Sequence, residues 1–185
     1  MTTGADELRA VLQAYQRVKD ASWPALNPGM AERSRQWAQT SEADLRAELA
    51  GYLQEAAPPA WQVRIFWKTG EDLVFGGCNE LFAKDAGLAS ADELVGLTDF
   101  DKRLPWTRQA AKYRLDDQAV MASGAARLGI IERQQSGDGE IHWVRVSKAP
   151  VTAGADTVGV LGMYEPLDPE TGRRLFGESL RRGAP

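Results

Sequence analysis

The last third of the chain carries three β-rich runs with almost no room between them: ARLGIIERQQ (126–135), EIHWVRVSKAPV (140–151) and TVGVLGMYEP (157–166). The connectors SGDG (136–139) and AGAD (153–156) are turn-forming. They are too short for a parallel crossover, which needs a dozen or more residues, so the three runs pair as an antiparallel meander. Upstream, VRIFW (63–67) and LVFGG (73–77) flank a turn at Gly70, Glu71 and Asp72, the pattern of a hairpin. Helical segments lie between. Asn79 opens ELFAKDAG, which Gly87 ends. Ser90 and Glu93 form a capping box for ADELVG. Pro105 starts a longer helix with Trp106, Ala110, Tyr113, Leu115 and Val120 at helical spacing, closed by Gly124. The order β-β-α-α-α-β-β-β predicts an α+β fold. In it a five-stranded antiparallel sheet can be solvated on one face and is capped by short helices on the other, with a pocket between helices and sheet.

Two helical flanks surround this central part, dividing the chain into an N-terminal extension (1–60), the sheet domain (61–166) and a C-terminal helix or tail (167–185). In the first, Leu8, Val11, Leu12, Tyr15 and Val18 make an amphipathic stripe behind a Thr3–Asp6 capping box. Pro24, Asn27, Pro28 and Gly29 break the chain, and Met30–Gln39 predicts a short helix around Trp37. Ser41 and Asp44 open another, carrying Leu45, Leu49, Tyr52 and Leu53, which Pro58 and Pro59 end. These stripes are too narrow for a core of their own and must dock on the rest of the chain or on a second copy. In the tail, Asp168 and Pro169 start a helix with Leu175, Phe176 and Leu180 on one face.

Composition excludes several classes of function. A net charge of −4 gives no global reason to bind nucleic acid. One cysteine, Cys78, forbids an internal disulfide and multi-cysteine zinc sites, and one histidine, His142, forbids any site needing two, so no metal is expected. No apolar run approaches the roughly 18 residues of a membrane span. The opening MTTGADELRA has no apolar signal region, so a reducing cytoplasm is the expected compartment. His142 has no G-x-S-x-G partner, and nothing else marks a cleft around the carboxylate pairs 99/101 and 116/117, so an enzyme is not expected.

The stretch FWKTGEDLVFGGCNELFAKDAGLASADELVGLTDFD, followed by WTRQAAKYRLDDQAVMASG, GEIHWVRVSKAPV and VGVLGMYEPLD, resembles PAS sensor domains over about residues 61–168. Within them, Gly96-x-x-Asp99-x-Asp101, then Pro105-Trp106 and a Gln109-Ala110-x-x-Tyr113-Arg114-x-Asp116-Asp117 helix, resembles the FAD-binding PAS domains of methane-monooxygenase regulatory sensor kinases. The resemblance implies a PAS fold that binds FAD or FMN noncovalently as a redox or light sensor. Asp99 occupies the place of the adduct-forming cysteine of light sensors, so that photochemistry is not expected, and Cys78 reads as a small buried residue. His142 lies on a strand rather than on the long helix, against heme. Gln134 falls where flavin-binding relatives carry an Asn, and Glu132 shares its face. Val144 and Tyr164 fall where light sensors carry a second Asn and a Gln, and Trp106 is placed to stack on a ring.

Asn79, Asp99, Tyr113 and Trp67 complete the candidate flavin site. A one-residue slip of the first strand would exchange Trp67 for Phe66 and Lys68. Plainer roles stand beside these: Asn79 as a helix cap, Trp106 as core, Asp99 and Asp101 as turn residues, and Asp116 and Asp117 with Lys112 and Arg114 as a solvated face. Two other functions stay open. One is a pocket for a small metabolite or fatty acid, lined by Ile130, Val144 and Val146; the other is a filled interaction and dimerisation module. Flavin predicts a yellow protein absorbing near roughly 450 nm. With no output segment in the sequence, signalling is expected through a homodimer of the flanking helices and a protein partner in trans, without nucleic acid or membrane.

Overall fold

The computed structural model describes residues 3–135 and 138–183. β1 (Arg64–Thr69) and β2 (Val74–Cys78) form the hairpin; β3 (Arg127–Gln135), β4 (Ile141–Ala153) and β5 (Asp156–Leu167) form the meander. All pairs are antiparallel, in the order β2-β1-β5-β4-β3. The closing contact is β5 along β1, from Arg64 opposite Tyr164 to Thr69 opposite Gly159. The β3–β4 ladder is irregular between Arg127 and Ile130, where Gly129 takes a positive φ of 66° that suits a bulge. The β3–β4 turn falls partly at residues 136–137, outside the described residues.

On one face lie α4 (Glu80–Asp85) and α5 (Ala110–Ser123), joined by single 3₁₀ turns at Ala91–Glu93 and Thr107–Gln109. Asn79 caps α4 by accepting from the Phe82 N–H. The Ser90–Glu93 capping box does not form: the segment is one 3₁₀ turn, and the Ser90 side chain caps nothing. α5 begins later than Pro105, because the Thr107 hydroxyl bonds the carbonyls of Asp101 and Leu104 and so competes with helix formation. Its buried stripe runs through Ala110, Asp117 and Val120, and Leu115, expected on that stripe, is 67% exposed.

The other face is not solvated, although an antiparallel sheet can be. α1 (Gly4–Ser22), α2 (Met30–Ser34) and α3 (Glu42–Glu55) cover it. Leu12, Tyr15, Val18, Trp23, Trp37 and Leu45 pack there with Ile65, Trp67, Val151, Leu161 and Met163 in one continuous core. The N-terminal stripes therefore dock on the chain's own sheet. Thr3 and Asp6 form the expected capping box, and Trp37 sits in a 3₁₀ turn (Trp37–Gln39) separate from α2. The Trp67 indole lies over Gly76 and Gly77, where any β-carbon would collide with it.

α6 (Pro169–Arg181) starts at the Asp168 cap. Its Gly172 lies on Trp143, and Phe176 packs on the same ring at 5.3 Å between centroids. Leu180, expected on the packed face, is exposed. Among the described residues no helix is long and apolar enough to cross a membrane.

Candidate functional site

Along β1 the side chains alternate, so Phe66 and Lys68 face α4 and α5 while Ile65 and Trp67 face α1. Between α4, α5 and this inner face lies a cavity of about 50 Å³. Phe66, Phe75, Phe82, Trp106, Val144 and Tyr164 form its apolar wall. The Phe82 ring is central to it, with centroids 4.9 Å from Phe66, 5.5 Å from Trp106 and 6.0 Å from Tyr164. Lys68, Asp99, Glu132, Gln134 and Lys148 supply polar groups.

A chain of alternating charges runs behind the wall. Lys68 Nζ donates to Asp99 Oδ2 at 2.5 Å and to Asp117 Oδ2 at 2.6 Å, and Lys148 Nζ donates to Asp117 Oδ1 at 2.6 Å. Trp106 Nε1 donates to Asp99 Oδ1 at 2.9 Å. The chain ties β1, the Asp99 loop, β4 and α5 together. Burial alone would raise the Asp117 carboxyl pKa, but Lys148 and Lys68 outweigh it and hold the group below the usual carboxylate range. Burial would likewise lower Lys148, and Asp117 outweighs it, leaving the ammonium above its ordinary value. Lys68 also sits over the faces of Phe75 and Phe66, at 5.0 and 5.3 Å.

The two tyrosines of the cavity are fixed by hydrogen bonds. Tyr164 donates to Asp85 Oδ2 at 2.8 Å and accepts from Gln134 Nε2 at 3.4 Å; burial and then Asp85 push its hydroxyl pKa well up. Tyr113 donates to Gln109 Oε1 and is raised by burial and Glu132. Cys78 is a buried free thiol pushed up to about 12 by burial, the inert role expected of it.

Trp106, Gln134, Asp99, Tyr113, Glu132, Val144 and Tyr164 thus come together around one cavity. Two candidates do not. Trp67 lies on the opposite face, and Phe66 and Lys68 take its place. Asn79 is spent on structure: its side-chain oxygen accepts from the Ile65 and Phe82 N–H groups, and its Nδ2 donates to the Val63 carbonyl. Ile130 is 42% exposed and lines an outer groove instead. Asp117, read as part of a solvated face, is 0% exposed and holds two lysines. Arg114 stays outside, donating to the Asp72 carbonyl and stacking on Phe100 at 4.6 Å. Sequence reasoning missed Lys148, Phe75 and Phe82, and offered Lys68 only as the alternative to Trp67. Lys148 was within reach, since Val144, Val146 and Lys148 alternate on one face of β4.

No protein-family model and no curated protein matches the chain. Solved structures do. A light-oxygen-voltage domain studied with a flavin analogue superposes with a TM-score of 0.53 at 16% identity, over 73% of this chain and 96% of that one. The chain has the PAS/LOV fold. Phage VqmA, solved as a complex with DPO, matches this PAS/LOV fold with a TM-score of 0.51 at 16% identity, over 74% and 60% of the two chains. The Vibrio cholerae VqmA dimer, solved in the absence of its target DNA, gives 0.50 at 22% identity, over 57% and 47%. The match therefore spans about half the length of Vibrio VqmA.

Proposed function

We propose that this protein is a sensor module that binds a compact small molecule in the cavity between the sheet, α4 and α5. The observation that carries the reading is an aromatic hollow whose wall holds lysines with donors to spare. Each ammonium has three N–H donors. Among the described residues Lys68 spends two and Lys148 one, so oxygen acceptors on a ligand would complete both. The free volume has room for about four waters, the scale of a ligand with a few heavy atoms. That phage VqmA was solved with DPO supports a ligand-binding role for the shared fold.

Flavin does not fit these residues. Drug- and cofactor-sized ligands occupy pockets of about 300–1,000 Å³, while the present hollow of about 50 Å³ is narrowed by Trp106 packed on Phe82 and Phe75. FAD or FMN would have to displace that packing and lie against a charged wall, which weighs against the closer resemblance to the FAD-binding sensor kinases. A binding role is preferred over catalysis because the carboxylates of Asp99 and Asp117 are already engaged in ion pairs with Lys68 and Lys148.

Output follows from the same bonds. A ligand drawing on Lys68 or Lys148 pulls on Asp117, and hence on α5. On the other side of β4, Ser147 Oγ bonds Ser22 Oγ of α1 at 2.9 Å and accepts from the Gly129 N–H. A homodimer or a partner in trans remains part of the proposal. The flanking helices no longer motivate it, since α1 and α3 spend their stripes internally; the exposed Leu128, Ile130 and Ile141 do. The DNA binding named for VqmA belongs to a protein of which this chain matches about half.

Filling the cavity tests the reading. Val144→Phe is expected to abolish the thermal stabilisation given by any small-molecule hit while costing about 1–3 kcal/mol of stability through overpacking. Hits that stabilise the variant as well as the wild type would show that they bind elsewhere.

A further inference from the structure

The charges around the cavity narrow the ligand class, an inference that rests on small-molecule occupancy of this site. Lys68 and Lys148 face three carboxylates, Asp99, Asp117 and Glu132. Four of the five neutralise one another in the ion chain. Glu132 is left over. It is half-buried on β3, and among the described residues its side chain makes no hydrogen bond or ion pair. It stands close enough to Lys148 to act on it electrostatically, yet the ion pair of Lys148 is with Asp117.

Glu132 and Lys148 also occupy the border of two spaces. A groove of about 910 Å³ between α5, β3 and Phe176 of α6 shares Glu132, Gln134, Val146 and Lys148 with the inner cavity. A molecule entering from the groove passes between the unpaired Glu132 carboxylate and the Lys148 ammonium, which is paired with Asp117 but keeps spare N–H donors. An anion would add to the excess negative charge beside Glu132, and a cation would leave the spare lysine donors without acceptors. A neutral molecule that both accepts and donates satisfies both groups.

We propose that the cavity selects a neutral molecule with a carbonyl or hydroxyl oxygen beside an N–H or O–H donor, the edge of a lactam or an amide. Its oxygen takes the spare donors of Lys148 and Lys68. Its donor bonds Glu132, and its body lies against Phe82, Trp106 and Tyr164.

Three probes of equal heavy-atom count separate the terms: γ-butyrolactam carries both groups, cyclopentanone only the acceptor, and butyrate a charge. Titrated into the full chain by ligand-observed NMR, the lactam is expected to bind at least about tenfold more tightly than either of the others. Glu132→Ala is on an edge strand and half exposed, so the fold should survive, as its melting curve will verify. It should bring the lactam down to the level of cyclopentanone while leaving cyclopentanone unchanged. Equal binding of cyclopentanone or butyrate, or a lactam preference that persists in Glu132→Ala, overturns the proposal. Val144→Phe tells which level has failed. If it weakens whichever probe binds, the cavity is the site and only the lactam rule is wrong. If no probe binds, or if it changes nothing, small-molecule occupancy fails as well.

Discussion

Asp117→Ala is expected to lower the unfolding free energy by about 3–5 kcal/mol, because it strands the Lys148 ammonium without its counter-charge and takes one of two carboxylate partners from Lys68. That is a large share of the roughly 5–15 kcal/mol that holds a domain together. Urea unfolding of wild type and variant measures it. Lys68 has Asp99 as a second partner, whereas Lys148 has none among the described residues, so the Lys148 end carries more of the loss. Replacing the chain as a unit, with Lys68→Met, Asp99→Asn, Asp117→Leu and Lys148→Met, is expected to be neutral or stabilising, since no buried charge is then left unpaired. The pH dependence has a defined sign. Asp117 titrates below its ordinary value of 3.8 in the folded state, so its contribution is present above that value and is lost as pH falls through the folded pKa. Lys148 titrates above 10.5, so its contribution is present below that value and is lost as pH rises through the folded pKa. The gap between wild type and Asp117→Ala should be flat from roughly pH 5 to pH 9 and should shrink outside that window. A gap under about 1 kcal/mol at neutral pH would mean that the lysines find water instead.

Deleting residues 1–60 is expected to abolish folding. The deletion uncovers Ile65, Trp67, Val151, Leu161 and Met163 on the outer face of the sheet. At about 1.5–3 kcal/mol for each large buried side chain, those five alone amount to about 7–15 kcal/mol, the whole stability of a typical domain. The fragment from Trp61 onward should be insoluble, or an expanded species that binds hydrophobic dyes. A cooperative melt within a few degrees of the full chain would contradict this. The PAS-like segment thus depends on its N-terminal helices as a second roof, which makes the molecule a three-layer structure with the sheet in the middle.

The meander and its turns were legible because β3, β4 and β5 are long and their connectors too short for any other pairing. Gln134, Val144 and Tyr164 were placed on the inner face for the same reason: a period of two from a known turn fixes the side. Trp67 went to the wrong side because β1 is buried on both faces, so Ile65, Phe66, Trp67 and Lys68 show no alternation of polarity. The docking of α1 was half legible. The Leu8–Val18 stripe showed a buried face, but nothing local said that the face belonged to this sheet rather than to a second copy. The burial of Asp117 and its pairing with Lys68 were not legible, because a charged residue reads as surface until its partner is known, and these two lie 49 residues apart. Leu115 was placed inside for the complementary reason, as an apolar residue at a plausible helical spacing that turns outward beside the buried Asp117.

The most direct test of the central claim is a small-molecule fragment screen on uniformly ¹⁵N-labelled protein, read through assigned indole N–H signals. Trp106 lines the cavity and donates to Asp99, while Trp67 lies beyond the sheet among the N-terminal helices. Compact neutral fragments are expected to shift Trp106 together with the amides of Gln134 and Val144, leaving Trp67 in place. Hits that move Trp67 and not Trp106, or a library with no hits at all, would contradict the account.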